Sequence, residues 1–335
     1  MKAIIKYAFP LVLLLTGTFA NPCLGAEPAL IADKAAQSLL LDVEKLPAGR
    51  LVTVGERGHI LLSDDKGVEW RQVPVPTRET LTAVDFLDDK RGIAVGFSQT
   101  ILLTNDGGES WQLTHYEESF DQPGLFDVQF IDNDFIVAVG SYGLYLESSD
   151  GGESWEPRDI EGLADYYGYF SHFYSLKKVT EDYWVIAGEK YIDGIDEDGF
   201  ETSSALVAET RDGGETWQKL PTPYDGSFFG IQVDDNGYLY VYGLRGNLYI
   251  SKDQGQSWQG QFLSTASGFH DMAIMDNNRW VLVGTGGVLV YKTLTSTEIK
   301  KRKDLKGRTA VVAVDEDTLI VVGDGGVERL SLSQQ

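Results

Sequence analysis

A short apolar run closed by glycine recurs seven times along this chain, and that recurrence limits the possible folds more than any other feature. It stands at Val54-Gly55, Val95-Gly96, Val139-Gly140, Ala187-Gly188, Tyr242-Gly243, Val283-Gly284 and Val322-Gly323, at spacings between 39 and 55 residues. In five units a box of the form Ser/Thr-x-Asp-x-Gly-x-x-Trp follows: Ser63 to Trp70, Thr104 to Trp111, Ser148 to Trp155, Thr210 to Trp217 and Ser251 to Trp258. The marker glycine precedes the box by 8 residues in units one, two, three and five but by 22 in unit four, which therefore carries a 14-residue insertion.

Each unit reads as four short strands. In unit two, Leu81 to Phe86 alternates, Asp88 to Arg91 turns, Gly92 to Gly96 runs apolar, Ile101 to Thr104 follows, and the box leads into Trp111 to Thr114. About 40 residues per four-stranded unit is the length of a propeller blade, and a blade buries both faces only within a closed ring. The expected fold is all-β, a seven-bladed propeller of antiparallel four-stranded blades over residues 27–335. The box is a structural turn: Asp65, Asp106, Asp150, Asp212 and Asp253 bond backbone groups, glycine permits positive φ, and Trp70, Trp111, Trp155, Trp217 and Trp258 bury apolar area at the blade edge. The competing reading is a calcium loop, but one or two carboxylates per box are too few for six to eight oxygen ligands. Unit six has lost its box and unit seven stops after its third strand. The missing outer strand of blade seven is expected from the N-terminal segment Pro28 to Ala36.

Lys2 and Lys6, an apolar run from Ala8 to Ala20 and small residues ending at Ala26 form the pattern of a secretory signal peptide over residues 1–26. No stretch reaches the roughly 18 apolar residues of a membrane span. Cys23 admits a lipid anchor, but Asn21-Pro22 stand where a lipobox wants small residues, and cleavage after Ala26 removes it. The mature chain then lacks cysteine, so disulfides and thiolate chemistry are excluded. Its formal charge, −23 for the whole chain with 51 acidic against 28 basic residues, argues against nucleic acid as a partner. It serves solubility, or attraction to a basic partner or cations.

Val-Gly-x-x-Gly, an apolar strand and then Thr-x-Asp-Gly-Gly-x-Ser/Thr-Trp resembles the Ycf48/Hcf136-like family of photosystem II assembly factors, within the wider Asp-box (BNR) propellers. The likeness covers most of residues 38–330 and is strongest at Gly96 to Trp111, Gly140 to Trp155 and Gly188 to Trp217. It implies a lumenal or periplasmic, non-catalytic protein that binds other proteins and assists a membrane-associated complex; separately, no cofactor or metal is expected. It also implies a partner face carrying arginine, and Arg57 and Arg245 occupy the equivalent hairpin positions. Sialidases and other glycosidases share the Asp box, so an Asp-box glycoside hydrolase is the alternative. Their arginine triad has no counterpart here, since few arginines fall on inner strands and no Arg-Ile-Pro motif opens the first blade. A generic carboxylate pair stays possible. His59, His115, His172 and His270 fall in separate units without metal-ligand spacing.

The interruptions of the repeat are the remaining signal. In a four-stranded meander, second-to-third connections and inter-blade connections open on one face, and the Asp boxes open on the other. Both large departures share the first face: the inter-blade loop 156–172, with Tyr166, Tyr167, Tyr169, Phe170 and His172, and the insertion after Gly188, with Asp193, Asp196, Glu197, Asp198 and Glu201. Aromatics at a loop tip either meet a partner or pack as a lid over the central channel. The acids are a solvated loop or a weak calcium site. Together the two segments are expected to form one ridge suited to a basic protein surface or to a peptide with an apolar patch.

Overall fold

The computed structural model describes residues 27–118, 123–276 and 279–334. The signal-peptide segment lies outside them. Seven antiparallel meander sheets form the blades, six of four strands and one of three, each ordered from an inner strand outward. The inner strands are Leu40–Lys45, Leu81–Phe86, Leu125–Phe130, Phe173–Lys178, Phe228–Val233, Phe269–Asp276 and Arg308–Ala313. The second strands, such as Leu51–Gly55 and Ile136–Gly140, are buried throughout. Their successive side chains point into opposite neighbouring blades. Val52 and Val54 therefore pack toward blade two, and Leu51 packs toward blade seven. Seven hydrophobic clusters result, one at each blade-to-blade junction.

The marker glycines have a steric cause. A Cβ on Gly55 would lie 2.3 Å from the Leu39 carbonyl oxygen, and one on Gly140 2.1 Å from that of Gly124. The second strand ends where its backbone passes directly over the incoming inter-blade segment, and only glycine admits that approach.

Ring closure differs from the sequence expectation. Blade seven keeps three strands among the described residues. The segment expected to complete it runs along the outer edge of blade one: Ala29 N donates to Val75 O (2.9 Å) and Gln72 Nε2 donates to Leu30 O (3.0 Å). It then makes a 3-10 turn at Ala35–Gln37. One backbone bond, Val327 N to Ala36 O (2.9 Å), reaches blade seven. Two features work against a fourth strand there. Pro28 has no N–H to give a ladder, and Ser331 and Ser333 fold back onto the Asp317 carboxylate, ending the third strand. The ring closes by packing instead, with Ala35, Leu40, Leu51, Ala310 and Ile320 in the junction. Thr309 Oγ1 donates across it to Leu40 O (2.7 Å).

Unit six turns directly from its third strand into an outer strand at Thr297–Lys301, without a box. The insertion of blade four continues the ladder, extending the second and third strands to Trp184–Ile195 and Glu201–Thr210 as one projecting hairpin.

Candidate functional site

The two faces are distinguishable by their contacts. On one, the Asp boxes of blades two, three and four brace the first turn of their own blade: Gly107 N donates to Lys90 O (2.8 Å), Gly151 N to Asp134 O (2.8 Å) and Gly213 N to Asp182 O (3.0 Å). On the other, hairpin tips bond the inter-blade segments, as Phe97 N does to Thr80 O (3.0 Å) and Ser141 N to Gly124 O (2.9 Å). Box chemistry is repetitive. In box three the Ser148 hydroxyl donates to Asp150 (2.8 Å) and accepts from Gly152 N (2.9 Å), Asp150 accepts from Ser154 N, and Trp155 Nε1 donates to Gly152 O (3.1 Å). Asp65, Asp106, Asp212 and Asp253 repeat the hydroxyl bond at two residues' distance. Trp111, Trp155 and Trp217 are buried, whereas Trp70 and Trp258 are half-buried.

The loop 156–172 and the insertion come together as the sequence suggests. Ile160 and Leu163 are buried and anchor the loop through the short turn Glu161–Leu163. Asp165 then caps a tight turn, its carboxylate accepting from Tyr167 N and Tyr169 N at 2.8 Å each. That cap turns Tyr166, Tyr167 and Tyr169 outward, to exposures of 56%, 50% and 74%. Tyr166 N donates to Ile192 O (2.9 Å) and Tyr167 Oη to Glu201 Oε1 (2.8 Å), fastening loop to hairpin.

Phe170 and His172 do not join this exposed group. Phe170 is half-buried against the junction of blades three and four, where Gly143 leaves it space. His172 accepts the Tyr142 N–H at Nδ1 (2.9 Å) and lies 3.8 Å from Glu189 through Nε2. Of the acids, Asp193 accepts the Thr202 and Ser204 hydroxyls and Asp196 caps the hairpin turn through Asp198 N and Phe200 N. Asp198 is exposed at the tip beside Ile195 and Phe200. Among the described residues no group of three His, Cys, Asp or Glu side chains is placed to hold a metal ion.

Sequence reasoning missed two features. The first is the wider apolar content of the hairpin face. Of fourteen large hydrophobic side chains exposed among the described residues, ten lie there, including Phe97, Tyr142, Leu244, Phe262 and Leu305. Only Val68 and Leu294 lie on the Asp-box face. Four hairpin tips also hold an L-residue at positive φ, Arg57 (59°), Ser98 (55°), Tyr142 (55°) and Arg245 (59°), where blade six has Gly286 (64°).

The second is the central channel, of about 790 Å³. The third residue of the inner strand is Asp42, Asp127 and Asp271 in blades one, three and six. Each blade that follows has a small residue there, Ala83, Ser175 or Ala310. The carboxylates bridge the blades: Asp42 accepts from Val43 N and Val84 N, Asp127 from Val128 N and Leu176 N, and Asp271 from Met272 N and Val311 N, all at 2.7–2.9 Å. Desolvation pushes Asp42 up to about 7 and Asp85 up to about 6, and raises Glu44 and Asp271. Burial opposes the charge on Lys177, but Asp127, Asp85 and Asp42 together hold its ammonium above the ordinary range. These carboxylates are engaged as inter-blade ties, and aligning the seven inner strands exposes the Asp-then-small alternation that marks them.

A family model described as photosynthesis system II assembly factor YCF48 matches residues 62–123. The photosystem II assembly protein Ycf48 of Thermosynechococcus vestitus is 26% identical over 237 residues, 68% of this chain and 60% of that protein, so the match spans about three fifths of the relative's length. The chloroplastic stability/assembly factor HCF136 of Cyanidioschyzon merolae is 40% identical over 55 residues, 16% of this chain and 13% of that protein. Among solved structures, YCF48 bound to a D1 peptide superposes with a TM-score of 0.65 at 17% identity, covering 91% of this chain and 97% of that one. YCF48 from Cyanidioschyzon merolae gives 0.64 at 15% identity, covering 89% and 97%. The chain is Ycf48-like in sequence and has the seven-bladed fold of those structures. Among the described residues no helix is long and apolar enough to cross a membrane.

Proposed function

We propose that this chain is an exported, non-catalytic protein-binding propeller that assists the assembly or maintenance of a membrane-associated complex, acting in the periplasm or an equivalent lumen. The observation that carries this reading is the segregation of exposed apolar side chains onto the hairpin face, ten of fourteen, beside a projecting hairpin tied to an aromatic loop. Monomeric surfaces rarely gather apolar groups in this way without a partner. The relatives' names, assembly proteins of photosystem II, and a neighbour described as bound to a peptide support a protein ligand. The glycosidase alternative gains no support from the channel, since Asp42, Asp127 and Asp271 each hold two backbone N–H groups and an acid/base pair needs carboxylates free to reach substrate.

The test is mild-detergent extraction of membranes from cells carrying a tagged chain, followed by gradient sedimentation and identification of co-migrating proteins, together with the effect of deleting the gene. The reading expects co-migration with subunits of one complex and loss of that complex on deletion. Migration as a free protein with an unchanged membrane proteome, or turnover of aryl glycosides, overturns it.

A further inference from the structure

Beside the exposed ridge lies a small cavity of about 280 Å³, formed where the blade-three hairpin meets the loop 156–172. Leu144, Pro157, Ile160 and Phe170 give it an apolar wall, and Tyr142 stands at its edge. The one cation in its lining, Arg158, is neutralised by Glu147 at 2.8 Å. The volume accommodates one apolar side chain and excludes a folded element.

Two further observations concern what enters. The segment 159–172, part of which lines the cavity, and the segment 189–203, bonded to it through Tyr166 and Tyr167, carry nine carboxylates and a single lysine, Lys190, so an occupant with basic flanks meets complementary charge and an acidic one is repelled. Tyr142 is held at φ 55° and ψ 37°, a left-handed conformation that disfavours residues with a Cβ. Arg57, Ser98 and Arg245 share that conformation at the equivalent hairpin position, and blade six has Gly286 there. Tyr142 is kept there by its N–H bond to His172 Nδ1 and by ring contact with His172 at 4.6 Å, yet its side chain is 70% exposed. The ring rests on His172 at one side only and is otherwise open to solvent at the cavity mouth, where an entering segment can meet it.

We infer that this cavity is the anchor pocket for one apolar side chain of an extended, basic segment of the partner, with Tyr142 stacking on that segment as it enters. The inference rests on the reading of the hairpin face as a protein-binding surface. The test uses the full exported chain and a fluorescent peptide, Gly-Lys-Lys-Phe-Lys-Lys-Gly, with two controls, one carrying alanine for phenylalanine and one carrying glutamate for every lysine. Fluorescence anisotropy is expected to give the phenylalanine peptide an affinity at least about tenfold above either control, a difference of roughly 1.4 kcal/mol. Tyr142→Gly is expected to weaken binding by about tenfold while leaving the melting temperature unchanged or raised, because glycine relieves the strain. Equal binding of the alanine peptide or the acidic peptide, or undiminished binding by Tyr142→Gly, overturns the assignment. If the peptide arms fail while the intact chain still co-sediments with a membrane complex, the pocket assignment falls and the reading of the face stands.

Discussion

The Asp-box face and the hairpin face use the same residue types differently. On the first, Asp106 and Asp150 hold hydroxyl and backbone donors within their own turns, and Trp111 and Trp155 lie 8% exposed under them. On the second, Asp165 and Asp196 also cap turns, but the aromatics that follow, Tyr166, Tyr167, Tyr169 and Phe200, point to solvent. A carboxylate that closes a turn over a tryptophan stabilises the blade. The same cap on a projecting loop fixes the direction of exposed rings and leaves them available to another molecule.

The largest expected effect lies on the Asp-box face. Trp111→Ala removes a ring that meets Phe86 edge-on at 6.1 Å and donates to Gly108 O at 3.0 Å, and should cost about 3–5 kcal/mol in denaturant unfolding. A smaller loss would mean that the box tryptophans are peripheral. Thr104→Val should cost about 1–3 kcal/mol, because it strips Gly108 N and Asp106 of the Oγ1 partner they share. Partner binding should survive both substitutions at low temperature.

The channel between the faces sets a pH dependence. Asp42 and Asp85, raised to about 7 and about 6 by desolvation, take up protons in the folded state above the unfolded carboxyl range near 4. Their contribution is complete below that range and is lost as pH rises through 6 and 7. Asp212, held at about 2 by the Thr216 hydroxyl and N–H, acts in the opposite sense, and its contribution is lost only as pH falls toward 2. The melting temperature should therefore rise by about 3 °C between pH 8 and pH 5, and Asp42→Asn should flatten that slope. A stability that increases steadily from pH 5 to 8 would contradict the dominance of desolvation over the inter-blade hydrogen bonds at Asp42 and Asp85.

The smallest effect on stability belongs to the hairpin face. Replacing Tyr166, Tyr167 and Tyr169 with Ser should shift unfolding by no more than about 0.5 kcal/mol and abolish partner capture. Adding Phe170→Ser should lower the melting temperature, since that ring packs against the core. A triple variant that unfolds would make the loop a packed lid.

Repeat number, blade length, box chemistry and the shared face of the two interruptions were legible in the sequence, because each follows from local spacing and from the alternation of meander connections. Three features were not. Whether the insertion is loop or strand depends on its ladder, Lys190 opposite Ala205 and Ile195 opposite Glu201, which acidic composition conceals. The path of Pro28 to Ala36 depends on its bonds to Gln72 and Val75, which no repeat signal encodes. Tyr142 resembles an ordinary hairpin residue until its φ and its His172 contact are known.

The central claim, that one face meets the partner and the other holds the ring, is tested most directly by photo-crosslinking in the exporting cell. A benzoylphenylalanine is placed in turn at Tyr142 and Tyr167 on the hairpin face and at Val68 and Leu294 on the Asp-box face, all exposed positions. The account predicts a common protein adduct from the first two positions and none from the other two. Adducts formed equally from both pairs, or only from Val68 and Leu294, would contradict it.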